Sequence, residues 1–75
     1  MSVQYRVAFG KSDEAVEGPD DATLVVTVPA ADALLDPTLA FMLGRLKGAG
    51  PTGELFGVLA DGSAAAALSR LASRP

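Results

Sequence analysis

Residues 36–59, DPTLAFMLGRLKGAGPTGELFGVL, decide how this chain folds. Asp36 stands where a helix begins and offers a carboxylate to its free N–H groups. Pro37 suits the first helical position because it has no N–H to satisfy. Leu39, Met42, Leu43 and Leu46 then recur at helical spacing, and Gly44 is placed to take the left-handed conformation that ends a helix. Arg45 to Lys47 reads as a short basic strand. Gly48, Gly50, Pro51 and Gly53 break the chain again, after which Leu55, Phe56 and Leu59 form a second helical stripe. Much of the bulky apolar surface lies in these 24 residues, so whatever the protein holds is expected to touch them.

Towards the N-terminus the period changes from helical to two. Val3, Tyr5, Val7 and Phe9 alternate with Gln4, Arg6 and Ala8, which predicts a half-buried strand. Gly10 to Asp13 reads as a hairpin turn, and Glu14–Glu17 as a weaker strand returning on the first. Gly18-Pro19-Asp20-Asp21 is a strong turn before a third strand, Thr23–Val28, with Leu24, Val26 and Val28 on one face. Pro29 closes the strand and opens a helical turn through Leu35. Towards the C-terminus, Asp61-Gly62-Ser63 separates two helices, with Ser63 as the cap of the second. Ala64, Leu68, Leu71 and Ala72 make a narrow stripe there, with Arg70 and Arg74 near the helix end, where positive charge suits the dipole. The expected architecture is one α+β domain over residues 1–75. It has a small antiparallel sheet of about three strands, with short helices packed on one face.

Composition limits what such a domain does. Apolar residues are 49% of the 75, but 14 of those 37 are alanine, which buries little. A core this small barely offsets chain entropy, and with no cysteine there is no disulfide to help it. Burial against another copy is the expected remedy, as a homodimer that extends the sheet across its exposed edges. A net charge of −3 argues against nucleic acid as a partner. No apolar run reaches the roughly 20 residues of a membrane span, so no integral membrane association is expected. The N-terminus carries no basic-then-apolar signal, and Ser73-Arg74-Pro75 is no peroxisomal address, so the expected location is cytoplasmic. The absence of Ile and Asn suggests a GC-rich bacterial genome.

Asp36-Pro37, Ala40-Phe41-Met42, Gly44-Arg45-Leu46-Lys47 and the glycine-bearing turn into an apolar helix resemble the signature of the sterol carrier protein 2 family. Gly18-Pro19-Asp20-Asp21-Ala22, leading into the strand at Thr23, is similar to the same family's approach to its third strand. The likeness spans roughly residues 3 to 60 and is specific only over Asp36–Lys47. It implies a mixed α/β domain, here shortened at the N-terminus, whose sheet and helices enclose an apolar tunnel for sterols, fatty acids or acyl groups. The alanine-rich Ser63–Ala72 departs from the family, being less apolar than a lipid-lining C-terminal helix.

The residues themselves point to binding rather than catalysis. With no histidine and no cysteine, the commonest general base and soft nucleophile are missing, and no serine has an activating neighbour. Asp13, Glu14, Glu17, Asp20 and Asp21 lack the spacing of a calcium loop and read as a solvated acidic turn. No catalytic residue, metal ligand or cofactor is expected. The candidate ligand-binding set is Phe41, Met42, Leu43, Leu46, Leu55, Phe56 and Leu59 for an apolar pocket. Arg45 and Lys47, projecting opposite Leu46, would draw a carboxylate, phosphate or headgroup to its rim. The leading expectation is a non-enzymatic lipid-binding domain whose pocket is completed by oligomerisation. The alternative is a pocket-less oligomerisation or protein-docking module.

Overall fold

The structure, a computed structural model, describes residues 2–73; Arg74 lies outside them. Four strands form one sheet: β1 (Val3–Ala8), β2 (Glu14–Glu17), β3 (Leu24–Pro29) and β4 (Lys47–Ala49), in the order β2-β1-β3-β4. A single 3-10 turn, Ala30–Asp32, leads from β3 towards α1 (Pro37–Met42). Helices α2 (Thr52–Ala60) and α3 (Ser63–Ala72) follow β4. The α+β class and the placing of the helices on one face agree with the sequence. The sheet differs from the expected one: it has four strands and is mixed, because β1 and β3 run parallel, Val3 opposite Leu24 through Ala8 opposite Pro29.

The parallel pair has a local cause. β2 pairs antiparallel on one side of β1, and the chain then steps beneath β1 to its other side. The 15 residues from 9 to 23 thus serve as the crossover that a parallel pair needs, with β2 inside it. Polar groups pin the step. Gln4 Nε2 donates to Pro19 O at 3.1 Å and to Asp20 Oδ1 at 3.3 Å, while its Oε1 accepts from Arg6 Nε at 2.7 Å. Thr23 Oγ1 donates to the Ser2 carbonyl at 3.0 Å, and Thr23 N–H donates to Ser2 Oγ at 3.2 Å. Gln4 is therefore buried without an unmet hydrogen bond, as a buried amide must be.

Register places the apolar residues of both central strands on one face. Tyr5 and Val7 of β1 stand beside Val26 and Val28 of β3, and Leu24 completes the layer. All five are buried beneath Leu55, Val58, Ala64, Ala67 and Leu68 of the helices. The alanines of α3 are what bring that helix close to the sheet: Ala64 and Ala67 are buried, and no longer side chain would fit there at that spacing. Gly48 does the same for α2. Its position faces inward beside Val26, and a β-carbon there would lie 2.7 Å from Leu55 Cδ2, so Leu55 packs directly on the strand. The Cα radius of gyration is 11.0 Å, close to the roughly 11 Å of a filled domain this long.

The helix ends bear out some sequence signals and correct others. Gly44 adopts φ +76° and ends α1 in a Schellman motif: Arg45 N–H donates to Ala40 O at 2.8 Å and Gly44 N–H to Phe41 O at 3.1 Å. Asp36 occupies the cap position of α1, but its carboxylate accepts no capping hydrogen bond. Ser63 is the first residue of α3 rather than its cap. Its N–H is taken instead by Asp61 Oδ1 at 2.8 Å, since Gly62, in the left-handed conformation, intervenes.

Candidate functional site

Helix α1 buries a different face from the one its sequence suggests. Pro37 and Ala40 are its buried residues, whereas Leu39, Met42 and Leu43 point outward. The cause lies in the Schellman turn. Ala40 O accepts from both Arg45 and Leu46 N–H, so the chain folds back over Ala40 and leaves room for only a small side chain there. Leu46, fourth in the predicted stripe, leaves the helix altogether and is buried in the core.

The outward residues make the most unusual surface of the molecule. Met42 is 76% exposed, Leu34 75%, Leu43 59% and Phe56 50%, with Leu35 and Leu39 also exposed. Leu39, Met42 and Leu43 share one helical face, Leu34 and Leu35 lie just before it, and Phe56 stands on the adjoining edge of α2. Together they expose on the order of 600 Å² of hydrocarbon, the upper end of what the largest apolar patch on a monomer usually reaches.

Within this surface lies a groove of about 410 Å³ between α1 and α2, lined by Thr38, Phe41, Met42, Phe56, Leu59 and Ala60. It is open to solvent along its length rather than enclosed as a tunnel. Phe41 and Phe56, both in its lining, meet in an edge-to-face pair, ring centroids 5.8 Å apart at 83°, a favourable arrangement for aromatic quadrupoles. Of the residues expected to line a pocket, the structure brings Phe41, Met42, Phe56 and Leu59 together here. Leu43 stands exposed outside the lining, while Leu46 and Leu55 belong to the core. Thr38 and Ala60 were missed, because neither carries a signal in sequence; only the approach of two helices makes them walls.

The strand expected over Arg45 to Lys47 begins only at Lys47, Arg45 lying in the turn that ends α1; both are exposed while Leu46 is buried, and neither lines the groove. They border a second, smaller concavity of about 280 Å³ with Ala8, Thr27, Pro29 and Gly44. Arg45 lies 3.7 Å from Asp32, and Lys47 has no acidic partner among the described residues.

The acidic residues disperse to separate structural tasks. Glu14 pairs with Arg6 at 3.2 Å, and Asp20 accepts from Gln4. Glu17 takes Arg70 in a two-pronged pair, Nη2 to Oε2 at 2.6 Å and Nε to Oε1 at 3.1 Å. That hydrogen-bonded guanidinium holds the Glu17 carboxyl below its usual pKa, and Glu17 raises that of Arg70 in turn. Tyr5, cross-strand from Glu17, has its phenol pKa raised, first by burial and then by the nearby Asp61 and Glu17 charges. Among the described residues no three metal-ligating side chains cluster, and no single helix is long and apolar enough to cross a membrane. No family model, curated protein or solved structure matches the chain.

Proposed function

We propose that this is a non-enzymatic self-association domain whose working surface is the exposed face of α1 with the adjoining edge of α2, and whose occupant is a second copy of the chain. The observation that carries this reading is the outward stripe Leu39, Met42 and Leu43, beside which Leu34, Leu35 and Phe56 are also exposed, with Asp36 at the helix start the one charge between Leu35 and the stripe. Its area, on the order of 600 Å², approaches the roughly 800 Å² that each partner contributes to a standard interface. A twofold pairing needs one patch that is complementary to itself, and an uncharged helical stripe with a groove beside it meets that condition: leucine and methionine knobs of one copy face the groove of the other. The test is light scattering on wild type and on a Leu39→Glu/Met42→Glu pair. The account expects a dimer in wild type and a folded monomer in the variant, with Val16→Glu, on the opposite sheet face, leaving the dimer intact. A dimer that survives the double change would remove the proposal.

The groove itself favours a second reading, that of an apolar or acyl ligand. Its volume falls within the roughly 300–1,000 Å³ of small-molecule sites, and Met and Phe adapt to flexible hydrocarbon. The resemblance of Asp36–Lys47 to the sterol carrier protein 2 signature supports the same reading. Burying an alkyl chain there would contribute about 0.8 kcal/mol per methylene, and a second copy would close the open side. Native mass spectrometry of the protein as purified from cells separates the two readings: co-purifying lipid on the dimer supports the ligand, and a ligand-free dimer supports self-association alone. Phe56→Asp is expected to abolish retention of a fluorescent fatty acid.

A further inference from the structure

The second concavity lies on the sheet face away from the helices, and register explains why it is a hollow. Arg6, Thr27 and Lys47 stand side by side across β1, β3 and β4, and Ala8 and Pro29 stand side by side in the next row. Small residues in the centre, with Arg45 and Lys47 along one edge, make a dish of about 280 Å³, and on the β2 side Ala8 stands opposite Glu14, whose charge is met by Arg6. Thr27 adds a hydroxyl to its wall. The chain as a whole carries −3, yet no acid occurs between Asp36 and Glu54, the stretch that supplies Arg45 and Lys47. Arg45 faces Asp32 at 3.7 Å without a hydrogen bond between them, so its donors remain available, and Lys47 has no acidic partner among the described residues.

We infer that this dish is a binding site for a small organic oxyanion, a carboxylate or phosphate group carried on an apolar body a few atoms wide. The anion lies between the Arg45 guanidinium, the Lys47 ammonium and the Thr27 hydroxyl, and the body rests on Ala8 and Pro29. Arg45 supplies planar, forked donors and Lys47 a mobile point charge, a combination suited to either oxyanion. The site is independent of the α1–α2 surface, with which it shares no lining residue. It is shallow and solvated, so the expected affinity is millimolar, and charge selects the ligand more than shape does.

The test is amide NMR titration with benzoate, phenyl phosphate and the neutral isostere benzamide. The inference expects saturable shifts at Ala8, Thr27, Gly44, Arg45 and Lys47 with at least one of the two anions. Benzamide should bind about tenfold more weakly. Whichever anion binds tighter identifies the preferred group. Arg45→Gln/Lys47→Gln should abolish the shifts and Lys11→Gln leave them unchanged. Asp32→Asn, which removes the carboxylate competing for Arg45, should tighten binding a few-fold. Saturation by benzamide equal to that of the anions would overturn the inference. So would shifts confined to Phe41 and Phe56, full binding by the double variant, or no shift with either anion up to roughly 20 mM.

Discussion

Single residues set the close approaches on which the rest depends. Gly48→Ala would drive a methyl into Leu55, and because Leu55 is hemmed in by the core it cannot swing away freely. The expected loss is about 1–3 kcal/mol by urea denaturation, and combining it with Leu55→Ala should give less than the sum of the two single losses. Gly44→Ala meets no atom within 4 Å, so its penalty is conformational alone, about 1–2 kcal/mol for forcing a side chain into positive φ. Glu17 supplies a pH dependence. Arg70 depresses its folded pKa, so the stabilisation is present at neutral pH and is lost as pH falls through that folded value. Thermal melts of Glu17→Gln should therefore show a lower midpoint than wild type at pH 7. The gap should close once wild-type Glu17 is also protonated, below the ordinary carboxylate pKa of about 4.

At the scale of elements, faces were legible in the sequence and neighbours were not. Alternation placed Leu24, Val26 and Val28 on one side of β3, and all three are fully buried. The same alternation carries no information about which strand lies beside which, so the parallel β1–β3 pair was invisible. What determines it is the pinning of the 18–23 segment by Gln4 and Ser2, polar contacts between residues far apart in the chain. Helix α1 shows the converse. Its leucine stripe was evident, but the direction in which it points follows from the carbonyl of Ala40 accepting the returning chain, a feature of the backbone. Of the seven apolar residues expected to line a pocket, Phe41, Met42, Phe56 and Leu59 converge on the groove, Leu46 and Leu55 are core, and Leu43 is exposed beside it. A direct consequence is an asymmetry between two kinds of change. Leu39→Glu or Met42→Glu should leave the stability of the isolated subunit within about 0.5 kcal/mol, whereas Ala40→Leu should lower it by about 1–3 kcal/mol. Denaturation of dilute protein by guanidinium checks both.

On the scale of the whole molecule, a filled core and an unfilled surface coexist. Sheet, α2 and α3 enclose a layer of valines, leucines and alanines, and further hydrocarbon is carried outward on α1, just before it and on the edge of α2. A domain of 75 residues has little stability to spare, so leaving six large apolar side chains in water is best understood as preparation for contact. The opposite sheet face is different in kind, with small residues beside Arg45 and Lys47, and suits a charged small molecule rather than a partner surface. Sedimentation equilibrium of the wild-type chain from about 1 to about 300 µM tests the central claim most directly. A monomer–dimer equilibrium is the predicted result, with dimer dominant at the upper end and dissociation favoured by Leu39→Glu/Met42→Glu. A monomer mass throughout that range, with α1 still folded, would contradict the account.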